Sequence, residues 1–154
     1  MKQQTFRSLL KTPSAALQAM VDGLRRHGNR IGFQIDMDTW LKGEGSICFG
    51  CAATCTIQKA LGKKLSYDNG MIQTDLDDRA NIYSWDKTDL WMFETAINDA
   101  RRGYMSSLFN YFHIPTKQLN KINCAGLPYL NNDNWKTELP KIEKFIKKLQ
   151  KAGL

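Results

Sequence analysis

Four cysteines are the residues of this chain whose type and spacing could do chemistry. Three follow a Cys-x2-Cys-x3-Cys spacing and one lies far downstream: Cys48, Cys51, Cys55 and Cys124. Thiolates at such a spacing can converge on a zinc ion or an iron–sulfur cluster. A second Cys-x-x-Cys pair is missing, however, and the surrounding residues are small and apolar, which favours buried thiols. We therefore expect no cofactor, with a four-cysteine metal site as the alternative.

Cys51 is the candidate nucleophile. It follows Gly50 at a predicted helix N-terminus, where the helix dipole favours a thiolate. His113 lies downstream with several asparagines beyond it, and cysteine, histidine, asparagine is the chain order of papain-like hydrolases. None of their local signatures surrounds Cys51. A cysteine-dependent, hydrolase-like enzyme using Cys51 and His113 is therefore the alternative function.

Carboxylates form two clusters. Asp36 and Asp38 would share a face if their strand continues, and one polar stretch holds three more acids: Asp75, Asp77 and Asp78. Close carboxylates can share a proton or bind Mg²⁺, but no EF-hand pattern is present. We expect these acids to cap turns or face solvent. If the protein were an inhibitor or an immunity-type protein, the acidic segment 63–89 would be its contact surface.

Charge is distributed unevenly along the chain. Residues 1–30 carry a net charge of +5, residues 31–100 carry −5 and residues 101–154 carry +7. Such segregation is either matched within the fold or presents a basic face to an acidic partner. Three predicted helices supply the candidate binding residues: Arg25, Arg26, Arg101, Arg102, Lys141, Lys144, Lys147, Lys148 and Lys151.

The basic face and the incomplete catalytic sets together predict a non-catalytic binding protein. Its expected partner is an acidic protein surface, and a nucleic acid is the less favoured alternative, because no helix-turn-helix, RNP motif or zinc finger is readable.

Hydrophobic periodicity predicts the helices that position these residues. Helices are expected from Thr12-Pro13 to Gly28, over 50–61, from Thr88-Asp89 to Gly103, around 108–112, and from Leu139-Pro140 onwards. The small side chains of the 50–61 helix predict a central place in the core. One alternating strand over 31–37 needs partners, and the candidates are Ile47–Phe49 and Gly70–Ile72.

The length of 154 residues predicts one domain, mainly α with a minor two- or three-stranded element. Residues 1–11 are expected to be a loose lead-in and residues 63–87 a long polar loop. No apolar run reaches the ~20 residues that span a bilayer, and the N-terminus lacks the apolar stretch of a signal peptide. We therefore expect no membrane partner and a cytoplasmic location.

Overall fold

Helices make up most of the described residues in a computed structural model, which describes residues 4–28, 30–62, 64–68, 71–74 and 87–154. The helices are α1 (Phe6–Leu10), α2 (Pro13–His27), α3 (Ala52–Leu61), α4 (Lys87–Arg101), α5 (Ser106–Tyr111) and α6 (Trp135–Lys151). A 3₁₀ helix, Thr116–Lys121, precedes α6. The strands are β1 (Phe33–Ile35), β2 (Leu41–Glu44), β3 (Ile47–Gly50), β4 (Leu65–Asp68) and β5 (Met71–Thr74). The predicted mainly α fold with a minor β element is confirmed.

The core is built around α3, as the small side chains of this helix predict. Its residues 52–58 are all buried, and it packs against both α2 and α4. Gly23 of α2 permits the closest approach, because a Cβ atom there would lie 2.3 Å from the carbonyl oxygen of Cys55. The predicted ends are also confirmed: Thr12 caps α2, and Gly62 ends α3 in the left-handed conformation.

The sheet has the strand order β1-β3-β2, with β1 and β3 parallel and β2 and β3 antiparallel. Phe33 and Ile35 point into the core, whereas Ile31 is fully exposed and lies before the strand. The predicted partner Ile47–Phe49 is confirmed as part of β3. The second predicted partner is wrong, because Ile72 belongs to β5 and pairs with Tyr67 of β4.

Two segments predicted to be irregular contain regular structure. Within residues 1–11, Thr5 caps α1, and the buried Phe6 ring stacks on Phe93 with ring centroids 4.6 Å apart. Within residues 63–87, β4 and β5 form an antiparallel pair. Regular structure in residues 6–10, 65–68 and 71–74 was not predicted, because these segments are too short to show a period. Residues 1–3, 63, 69–70 and 75–86 of the two predicted loose segments lie outside the described residues.

The last helix begins earlier than predicted. It starts at Trp135, so that Pro140 lies inside the helix rather than at its first turn. The buried Trp135 ring lies against Gly28 at the end of α2, and Leu139 is also buried. This packing extends α6 past a residue that lacks a backbone donor.

Candidate binding groove

Four lysines form a stripe along one side of α6. Lys141, Lys144, Lys148 and Lys151 stand at positions i, i+3, i+7 and i+10, a spacing that keeps side chains on the same face of a helix. The apolar side chains of the helix are buried on its other side: Ile142, Phe145, Ile146 and Leu149. Burial of these four side chains fixes the rotation of α6 and thereby the direction in which the lysines project.

Residues 122–127, an irregular segment that follows the 3₁₀ helix, run alongside this stripe. Lys148 Nζ donates a hydrogen bond of 3.2 Å to the backbone carbonyl of Asn123. The Asn123 side chain accepts one of 2.9 Å from the backbone amide of Ala125 and so shapes the turn. Partial burial raises the pKa of the Cys124 thiol, and the nearby Lys148 ammonium acts in the opposite direction. Residues 121–127 therefore form one wall and α6 forms the other, and the side chain of Lys148 connects the two.

Two hollows lie between these walls and meet at Lys148. The first has a volume of about 300 Å³ and is lined by Ala125, Gly126, Leu127, Lys141, Lys144, Phe145 and Lys148. The second, of about 370 Å³, is lined by Lys121, Ile122, Asn123, Lys148, Lys151 and Ala152. We call the two hollows together the lysine groove; its lysines are Lys121, Lys141, Lys144, Lys148 and Lys151.

Little negative charge balances the lysine groove. Glu138 pairs with Lys141 at 2.7 Å, and in the part of the chain that the structure describes no carboxylate pairs with the other four lysines. Glu143 on α6 instead pairs with Arg25 of α2, and that hydrogen bond lowers the pKa of Glu143. The groove thus concentrates positive charge that the described residues leave largely unmatched.

The predicted arginines do not join the lysines in one patch. Arg101 is buried, with Nη1 2.8 Å from the carbonyl of Leu130 and Nη2 2.9 Å from that of Met37. Its prediction as a surface binding residue is therefore wrong, because the guanidinium holds two loops together. Arg26 is exposed at the end of α2, and Arg102 lies on a different cavity. Lys147 is exposed on α6 but lines neither hollow.

Cys51 lies at a separate cleft of about 380 Å³ between α4 and the β1–β2 connection. Its lining is mixed and polar: Met37, Asp38, Thr39, Trp40, Cys51, Glu94, Thr95, Asn98, Asp99 and Arg102. Burial raises the pKa of Glu94 there. Asp36, which the sequence pairs with Asp38, instead accepts hydrogen bonds from the Asp38 amide and the Thr39 hydroxyl, because β1 ends at Ile35.

The thiol of Cys51 has no histidine beside it in this cleft. Cys51 is only 1% exposed, and its sulfur lies 3.6 Å from the hydroxyl oxygen of Thr54. Thr54 in turn donates a hydrogen bond to the backbone carbonyl of Trp40. His113 lies two residues after α5, with a positive φ of 57°; it is exposed and does not line the cleft. The structure therefore does not bring the predicted nucleophile and base together.

The cysteines also do not form a metal site in the described residues. No group of three or more histidine, cysteine, aspartate or glutamate side chains is placed there to hold a metal ion. All four thiols are free, and Cys124 lies at the lysine groove rather than beside the cluster Cys48, Cys51 and Cys55. Burial raises the pKa of Cys55 strongly, as expected for a thiol that packs in the core. The acidic residues 75, 77 and 78 lie outside the described residues.

Sequence reasoning found one wall of the groove and missed the other. The periodicity of α6 identifies its lysines, but the 121–127 segment has no period from which its place could be inferred. The only available signal was Lys121 in the basic C-terminal third of the chain.

No protein-family model matches the chain, and no curated protein or solved structure shows significant similarity to it. None of the described helices has the length and apolar character needed to cross a membrane.

Proposed function

We propose that this protein is a non-catalytic binding protein that holds an acidic surface of a partner protein in the lysine groove. The observation that carries the proposal is the convergence of five lysines on two adjoining hollows, where Glu138 is the one carboxylate among the described residues that pairs with them. Uncompensated charge of one sign in a concave surface concentrates field and attracts a partner of the opposite sign.

Two further observations support binding rather than catalysis. The buried Cys51 thiol has Thr54, not a histidine, as its neighbour, which leaves it without a base. Arg25 and Arg101 are already engaged within the fold, and Arg26 and Arg102 line neither hollow, so the lysines are the basic groups that the groove itself offers to a partner. The four free thiols support a cytoplasmic location as part of this proposal, because reducing compartments keep thiols unpaired.

Fluorescence anisotropy with a labelled oligoglutamate peptide tests the electrostatic part. Binding should weaken steeply as salt rises, because the interaction is between exposed charges. The variant Lys144→Gln/Lys148→Gln should bind roughly tenfold more weakly, since two rim charges contribute about 0.5–1 kcal/mol each.

The matched control is Lys136→Gln/Lys147→Gln, which removes the same net charge from α6 but leaves the groove lining intact. Its affinity should stay within about twofold of the unmodified protein. Equal losses in the two variants would show that net charge and not the groove attracts the peptide, and would overturn the proposal. Affinity unchanged from low to high salt would do the same.

A further inference from the structure

The two hollows of the lysine groove differ in chemistry. The first has an apolar floor in Leu127 and Phe145 with Ala125 at its edge, and three lysines surround it. The second is lined mainly by Lys121, Lys148, Lys151 and the polar Asn123. Charge attraction alone does not require an apolar floor. The first hollow therefore indicates that the bound partner also contributes an apolar group.

We infer that the groove recognises a short extended acidic segment in which one apolar side chain enters the first hollow between flanking carboxylates. This inference rests on the proposed function and names the kind of partner segment. The volume of about 300 Å³ accommodates a side chain of the size of leucine or methionine. The lysines around that hollow, Lys141, Lys144 and Lys148, then meet carboxylates on either side of it.

The length of the segment follows from helix geometry. Lys141 and Lys151 are ten residues apart on α6, which corresponds to about 15 Å at 1.5 Å per residue. An extended chain advances about 3.3 Å per residue, so about five residues cover the stripe. The segment therefore reaches both hollows, and Lys148 lies at the middle of the groove, where its hydrogen bond to Asn123 already fixes it.

A protein segment fits these features better than a nucleic acid. Phe145 is 3% exposed and forms a floor, so its ring offers no open face on which a base could stack. Phosphate contacts alone would use the lysines and leave the apolar floor unfilled. An acidic peptide with an apolar residue uses both, because burying a leucine side chain adds to the ion pairs.

The experiment compares three labelled molecules on the full chain: an oligoglutamate peptide, the same peptide with one central leucine, and an oligothymidine. The leucine peptide should bind about tenfold more tightly than the oligoglutamate, since partial burial of one leucine is worth about that factor. Ala125→Trp, which fills the first hollow, should lower the ratio of leucine-peptide affinity to oligoglutamate affinity from about tenfold to about one. Ala125 is exposed, so the substitution does not enter the core.

Each outcome decides between the two proposals. No gain from the leucine, or a gain that survives Ala125→Trp, overturns the inference but leaves the groove an acidic-partner site as long as Lys144→Gln/Lys148→Gln still weakens binding. Oligothymidine binding more tightly than both peptides overturns the inference in favour of nucleic acid. Ala125→Met repeats the test with a smaller side chain if Ala125→Trp lowers the thermal midpoint.

Discussion

The hydroxyl of Tyr111 donates a hydrogen bond of 2.8 Å to Oδ1 of Asp89, and both residues are buried. The other oxygen of this carboxylate accepts a hydrogen bond, also of 2.8 Å, from the backbone amide of Phe6. Asp89 therefore joins α4 to α5 and to the first residue of α1. Burial raises the pKa of Tyr111, and the hydrogen bond to Asp89 acts in the same direction.

The substitution Tyr111→Phe tests how much the hydrogen bond between Tyr111 and Asp89 contributes to the free energy of unfolding. It removes one donor from a buried carboxylate, which should lower the free energy of unfolding by about 1–3 kcal/mol. Urea denaturation followed by circular dichroism measures the change. Tyr104→Phe is the matched control, because Tyr104 is 65% exposed and loses only a solvated hydroxyl. Equal stabilities of the two variants would contradict a stabilising role for the hydrogen bond.

The hydrogen bonds of Asp89 also show which features of the fold could not be predicted from the sequence. The spacing of Leu90, Phe93 and Ile97 predicts the buried face of α4, and that face is confirmed. Thr88-Asp89 was expected to cap this helix, but the carboxylate of Asp89 binds the amide of Phe6, 83 residues away. A capping preference is a local property, whereas the choice of that partner depends on how α1 and α4 pack together.

Arg101 and Arg102 are adjacent in sequence but should differ sharply in their contribution to stability. Arg101→Met removes hydrogen bonds to the Leu130 and Met37 carbonyls and leaves both acceptors less satisfied. Hydrogen bonds to a charged group contribute about 1.5–3 kcal/mol each, less what the methionine packing restores, so a net loss of about 2–4 kcal/mol is expected. Arg102→Met should change the free energy of unfolding by less than about 0.5 kcal/mol, as exposed substitutions do.

Chemical denaturation of the two arginine variants measures this contrast. The difference between the two losses of unfolding free energy matters more than either loss alone, because both variants lose the same charge and gain the same side chain. If Arg102→Met proved as destabilising as Arg101→Met, general charge loss rather than the two loop contacts would account for the effect. Asp38, whose carboxylate lies 3.8 Å from Arg101, is largely exposed and should contribute little.

The four thiols should fall into two classes of reactivity. Cys48 and Cys124 are half-buried and should react with iodoacetamide in the folded protein, whereas Cys51 and Cys55 are buried and should react only on unfolding. The raised pKa of Cys124 slows its reaction at neutral pH, because the thiolate is the reactive form. Mass spectrometry of the alkylated peptides, with and without denaturant, assigns each site.

The order of reaction also tests the alternative enzyme hypothesis. A nucleophilic Cys51 would be modified before Cys124 in the folded protein, because activation and access go together. Cys51→Ser adds a second measurement: it should leave oligoglutamate binding unchanged, since Cys51 lines a different cleft and neither hollow of the groove. Early alkylation of Cys51 would reopen the hydrolase-like function.

Only one wall of the lysine groove, the one formed by α6, could be predicted from the sequence. Charge and apolar residues alternate along α6 with a helical period, so the direction of Lys144 and Lys148 follows from the burial of Phe145 and Leu149. The opposite wall depends on an irregular turn set by Asn123, which has no period to read. Arg101 was assigned to the surface for a similar reason, since a basic residue in the last turn of a helix usually faces solvent.

His27 should make the stability of the fold depend on pH. Its side chain is buried, 3% exposed, and Nδ1 has no hydrogen-bond partner among the residues that the structure describes. Burial is the main cause that lowers the pKa of His27 from 6.5 to about 4, and the positive charges of Arg30, Arg26, Lys64 and Lys59 add to it. The folded protein therefore binds this proton less readily than the unfolded chain.

The sign of the pH effect follows from that difference. Between pH 6.5 and pH 4 the unfolded chain is protonated at His27 while the folded protein is not, so stability falls as the pH is lowered through this window. The loss at pH 5 amounts to about 2 kcal/mol for pKa values of 6.5 and 4.

Urea denaturation at pH 7.5 and pH 5 of the unmodified protein and of His27→Gln isolates the contribution of His27 to this pH dependence. Glutamine does not titrate, so the variant should lose about 2 kcal/mol less than the unmodified protein between the two pH values. Identical pH dependence in both proteins would mean that His27 takes up its proton equally well when folded.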